Sequence, residues 1–196
     1  MSRPGVADLL TAFHAVMKQR RTRWYLFGAQ AVAIWGGPRM TADVDVTVEG
    51  DPDDPALVDA LLSAGFDSRV EQIRDFVRDT RVAPLVHIES RIPLDVVFAG
   101  PGLEEEFLQR VTRVRIGRSR VPVISPEDLV ITKILAGRPK DIDDVRGVLS
   151  ERAETLDLER IRGTLSRVEQ ALSRADLVPA FEAELVRIGA RPRPPS

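Results

Sequence analysis

The chain has 196 residues and a mass of 21.7 kDa, enough for one well-buried domain with a small appended lobe and too little for two full domains. A hydrophobic content of 43% and a charged content of 30% exclude a fibrous or largely disordered chain. Acids number 30 and bases 28, and the resulting net charge of −2 argues against a general nucleic-acid coat while leaving room for a local basic patch.

Apolar residues at helical spacing, from Val6 through Leu9, Leu10, Phe13, Val16 and Met17, predict a first helix over 5–20. Trp24-Tyr25-Leu26-Phe27 reads as a short buried strand, Gly28 as the turn after it, and 29–36 as a helix stopped by Gly37-Pro38. Residues 43–48 alternate acid and aliphatic with period two, the pattern of a strand with one polar face. An acidic loop at 50–54 leads into a helix over 55–65, with Pro at its start and Gly at its end. Two strands are expected at Val82–Ile88 and Ile92–Phe98, then a short acidic helix at 101–108 and a hairpin over 111–124 about Gly117.

From Ser125 the pattern is helical: 126–136, 140–149, 155–172 and 175–188. Ser125-Pro126-Glu127-Asp128 is a helix start, with Pro in the first turn and acids beside it. The expected division is a mixed α/β core over 1–124, a helical lobe over 125–190 and a disordered tail at 191–196. No stretch approaches the roughly 20 apolar residues that span a bilayer, so no membrane partner is expected and a cytoplasmic location is the default.

The chemistry is expected from carboxylates. Cys is absent and His14 and His87 are the only histidines, which excludes thiolate metal sites and argues against a His-rich zinc site. Asp43 and Asp45 lie two apart on a strand, so both side chains project from one face. Two like charges side by side repel unless a cation neutralises them, and Mg²⁺ with oxygen ligands suits such a pair. Asp95 interrupts another apolar strand, where a buried carboxylate needs a partner. If the two strands are neighbours, Asp95 completes a trio of the kind that holds one or two divalent ions for phosphoryl or nucleotidyl displacement. Gly28 sits at a strand-to-helix turn, where backbone N–H groups can receive phosphate.

Phe27-Gly28-Ala29, followed by Gly37-Pro38-Arg39-Met40-Thr41-Ala42-Asp43-Val44-Asp45, resembles the signature of the polymerase-β-like nucleotidyltransferase superfamily. The later Ile124–Leu129 stretch, Lys133, and Arg138-Pro139-Lys140-Asp141-Ile142-Asp143-Asp144 are similar to its small prokaryotic branch, which includes the minimal nucleotidyltransferases and AbiEii-like toxin–antitoxin enzymes. The resemblance covers about residues 24–145. It implies an α/β fold, a short mixed sheet flanked by helices and followed by a helical lobe, with the site between the halves. It further implies transfer of a nucleoside monophosphate from a nucleoside triphosphate, ATP among them, to an acceptor hydroxyl on a tRNA, a protein or a small molecule, and a possible cognate toxin or antitoxin as partner. Asp43, Asp45 and Asp95 would hold two Mg²⁺ ions. Gly28, Ala29 and Lys133 would contact the triphosphate, with added charge from Arg138 and Lys140, and Asp141 or Asp144 would orient Lys133 or close the nucleotide pocket. Many relatives carry Gly or Ser where this chain has Ala29, so a hydroxyl contact to phosphate is missing and the backbone N–H groups remain. A non-catalytic module that senses nucleotide or neutralises a partner is the alternative.

Other features stay open at this level. Asp141 and Asp144 also suit the N-terminal turn of a helix. Arg113, Arg115, Arg118 and Arg120 on the hairpin fit either a polar outer face or a guide for an RNA backbone. Trp24, Trp35, Phe27 and His14 read as core, and His87 lies on a strand near Asp95.

Overall fold

Alternation of aliphatic residues builds the centre of the first unit, and helix caps organise the second. The computed structural model describes residues 5–189, so the tail at 191–196 lies outside the described residues. The chain divides into two units, Met1–Gln30 with Met40–Ile124 and Ala31–Arg39 with Ser125–Ser196.

The first unit holds α1 (Val6–Arg20), β1 (Trp24–Phe27), β2 (Val44–Val48), α3 (Ala56–Ser63), β3 (Phe66–Ser68), α4 (Ile73–Thr80), β4 (Val82–His87), β5 (Pro93–Phe98), α5 (Leu103–Gln109), β6 (Thr112–Ile116) and β7 (Ser119–Val123). α2 (Gly28–Trp35) starts in this unit and ends in the other. The strands form a seven-stranded mixed sheet, ordered β3-β4-β5-β2-β1-β7-β6. β2 runs antiparallel to β1 and parallel to β5, and β7 runs parallel to β1. Val44, Val46 and Val48 of β2 and Leu94, Val96 and Phe98 of β5 are buried, which fixes the register, since a one-residue slip would turn them outward. α1 buries Leu9, Leu10, Phe13, Val16 and Met17, and the Phe13 ring meets Trp24 edge-on at 4.9 Å between centroids.

Two elements of this unit have no clear sequence signal. β3 is three residues long, too short to show alternation, and takes its pairing from β4. α4 (IRDFVRDT) buries only Val77, so its apolar spacing is thin.

The second unit contains the end of α2 with α6 (Pro126–Ala136), α7 (Pro139–Arg152), α8 (Leu158–Leu172) and α9 (Leu177–Arg187). Ser125 caps α6 by accepting the Asp128 N–H at 3.1 Å, and Asp157 caps α8 by accepting the Arg160 N–H at 2.9 Å. α6 packs against α7, α8 and α9, with Leu129, Val130, Ile131 and Ile134 buried. Gly36 and Gly147 let the chain after α2 meet α7 closely: a Cβ on Gly36 would lie 2.7 Å from the Val148 nitrogen. Among the described residues no helix is long and apolar enough to cross a membrane.

Candidate functional site

The parallel pairing of β2 with β5 sets Asp45 directly beside Asp95. Asp43 lies two residues before Asp45, just ahead of β2, and its charge is near enough to Asp95 to oppose ionisation there. Burial is the main cause that raises the Asp95 pKa above the usual carboxylate value; Asp43 adds to it and Arg69 works against it. Arg69 pairs with the Asp95 carboxylate, and its own backbone N–H is fixed to the Pro84 carbonyl at 2.9 Å. Thr41 donates its hydroxyl to the Asp43 carboxylate.

Antiparallel pairing of β1 with β2 puts Phe27 opposite Asp45, and Gly28 follows at the first position of α2. Gly28 adopts φ +63°, and a Cβ there would collide with the Asp45 carboxylate. Both observations require glycine: a left-handed backbone and a carboxylate pressed against it. Ala29 and Gln30 continue the first turn, and the Gln30 amide reaches the Asp43 backbone carbonyl at 3.5 Å.

In the second unit a separate charged cluster forms on α6 and α7. Lys133 donates to Asp141 at 3.0 Å and to Asp144 at 2.8 Å. The i,i+3 spacing on α7 brings both carboxylates to this one ammonium, so Lys133 is mostly buried rather than a solvated surface lysine. Arg138 bonds the other Asp141 oxygen, and Arg39 reaches Asp144 at 3.0 Å. Burial opposes the charge on Asp141, but hydrogen bonds from Arg138 and Lys133 outweigh it and hold the carboxyl below its usual range. Three cations against two carboxylates leave the cluster one positive charge in excess. Arg39, Lys140, Asp143 and Asp144 line a pocket of about 250 Å³ here.

Arg69, Thr41 and Arg39 are the participants that sequence reasoning did not assign. Arg69 follows the unpredicted β3, where no periodicity marks its position, whereas Thr41 and Arg39 sit inside the motif stretch itself. His87 is buried, bonded through Nδ1 to Ser90 Oγ at 2.8 Å and paired with Phe66, while Asp95 pairs with Pro84 three residues away on the same strand. It therefore serves the β4–β5 turn. Trp24 and Trp35 are buried, and the Arg152 guanidinium stacks over the Trp35 ring at 4.9 Å.

The donors of the first unit suit a hard divalent cation, since Asp43, Asp45 and Asp95 offer only carboxylate oxygens from adjacent positions. Among the described residues no three acids or histidines are gathered into a ready cation cage. A cation held by all three carboxylates would replace Arg69 as the partner of Asp95.

The sequence profile of a family described as a nucleotidyltransferase of unknown function (DUF6036) matches residues 8–183. Among curated proteins none matches the sequence. Solved structures share the fold at low identity. An antigenic nucleotidyltransferase-like protein from Paracoccidioides brasiliensis is 19% identical, with a TM-score of 0.52 over 90% of this chain and 92% of that one. The antibiotic-resistance factor ANT(2″)-Ia in solution is 16% identical, with a TM-score of 0.55 over 85% of this chain and 94% of its own. A crystal structure of ANT(2″)-Ia in complex with adenylyl-2″-tobramycin is 16% identical, with a TM-score of 0.51 over 90% of this chain and 97% of that one.

Proposed function

The chain belongs to this nucleotidyltransferase family, and from that premise we propose that it transfers a nucleoside monophosphate from a nucleoside triphosphate to an acceptor hydroxyl, using Asp43, Asp45 and Asp95. The observation that carries this reading is the register of β2 and β5, which sets Asp45 beside Asp95, with Asp43 two residues upstream and Gly28 against Asp45. Magnesium held through these carboxylate oxygens would supply charge neutralisation and a more acidic acceptor hydroxyl. Asp95, beside Asp45 on the neighbouring strand, would accept the hydroxyl proton on a carboxylate oxygen. The backbone N–H groups of Gly28 and Ala29, at the start of α2, bind phosphate oxygens. In the second unit, Asp141 and Asp144 hold Lys133 in place.

The alternative of a nucleotide-sensing or partner-neutralising module draws on one observation, the neutralisation of Asp95 by Arg69. The two readings separate in one experiment. The protein is incubated with each α-labelled nucleoside triphosphate, Mg²⁺, and total tRNA, protein extract or an aminoglycoside. Label appearing on one acceptor with the wild type and not with Asp45→Asn supports transfer. Nucleotide binding with no labelled acceptor of any class supports the module, and equal labelling by Asp45→Asn contradicts the site.

A further inference from the structure

β6 forms one edge of the sheet and carries Arg113 and Arg115. Arg115 lies directly opposite Arg120 across the β6–β7 ladder, and Arg113 shares that face two residues along β6. Like charges directly opposite destabilise a hairpin, and among the described residues none of these three has an acidic partner. In a chain of net charge −2, such a face is a local concentration rather than a by-product of composition.

Next to it is a pocket of about 380 Å³, rimmed by Lys18, Arg21 and Arg113 and floored by Trp24, Leu108 and Pro122. His14 also lines it, with Nδ1 buried and without a hydrogen-bond partner. Burial, reinforced by Arg113 and Lys18, lowers the His14 pKa, so the ring is a neutral donor–acceptor at neutral pH. Arg23, by contrast, is already paired with Glu49. An apolar floor, a neutral polar ring atom and a cationic rim suit a base joined to phosphate better than an acidic peptide, which lacks the aromatic group. In the same sheet β7 lies roughly 10 Å and β6 roughly 14 Å from the carboxylate strand, and the pairing of Leu26 with Val123 sets Arg120 toward the Trp24 end of β1.

We infer that this face binds single-stranded RNA, with Arg113, Arg115 and Arg120 on the phosphodiester backbone and the pocket taking one unstacked nucleotide. As an assignment of the acceptor class it rests on the transfer reading above, but binding is measured without nucleotide or metal, so the two fail separately.

The test is fluorescence anisotropy of the full chain with a short fluorescein-labelled single-stranded RNA, between about 50 and 200 mM salt. Arg115→Gln/Arg120→Gln is expected to weaken binding about tenfold and to lower the slope of log K against log salt by about 1.4. Lys18→Gln/Arg113→Gln weakens it comparably. Arg187→Gln, an exposed change in the second unit, leaves it unchanged. The substituted residues on the hairpin and pocket rim are exposed, so the variants fold. No binding by the wild type, equal weakening by Arg187→Gln, or equal displacement of RNA by polyglutamate overturns the inference. RNA binding with no label transferred to any acceptor class overturns the transfer reading and leaves this face standing.

Discussion

At the residue scale, Gly28 presses against Asp45, and Asp45 lies beside Asp95. Gly28→Ala introduces a Cβ into the Asp45 carboxylate at a left-handed φ, so it is expected to destabilise the fold by about 2 kcal/mol, read from urea unfolding, and to abolish labelling. Unchanged stability would mean that the Gly28 turn is not as described. Asp45→Asn keeps the side-chain size and removes the carboxylate beside Asp95, so transfer is expected to be lost while the variant still unfolds in one cooperative transition. Asp43-x-Asp45 was legible in the sequence because strand side chains repeat every two residues. Arg69 was not, because an ion pair between residues 26 apart leaves no local pattern.

At the element scale, α6 and α7 are held by the Lys133 cluster and α2 meets α7 through glycine. Asp141→Ala strips one partner from a mostly buried ammonium and is expected to cost about 3 kcal/mol at neutral pH. Because the fold holds the Asp141 pKa below its usual value, the unfolded chain takes up the proton first as pH falls. The contribution is therefore full above the usual carboxylate range and is lost as pH drops through the lower folded value. Urea unfolding of wild type and Asp141→Ala should show a constant gap at pH 7 and above about pH 5, narrowing below about pH 4. A gap that does not narrow contradicts the ion-pair assignment. Gly36→Ala places a methyl against the Val148 backbone and is expected to cost about 1–3 kcal/mol by overpacking, again read from urea unfolding.

At the scale of the whole molecule, the long helices and the alternating strands were legible from periodicity and caps: α1 from its apolar stripe, β5 from Leu94, Val96 and Phe98, and α6 from Ser125-Pro126. What was not legible was set by tertiary pairing. β3 exists because β4 offers an edge, and the assignment of Ala31–Arg39 to the second unit follows the Gly36 contact with α7 rather than any break in composition. The pairing of β2 with β5, which sets Asp45 beside Asp95, could be posed from sequence only as a condition.

The most direct test of the central claim is thermal unfolding of wild type and Asp45→Asn with each nucleoside triphosphate, with and without Mg²⁺. A ligand that binds only the folded state stabilises it by about 2.7 kcal/mol at one hundred times its dissociation constant. A Mg²⁺-dependent rise in melting temperature is expected with at least one nucleotide for the wild type and none for Asp45→Asn. No rise with any nucleotide, or an equal rise in the variant, would contradict it.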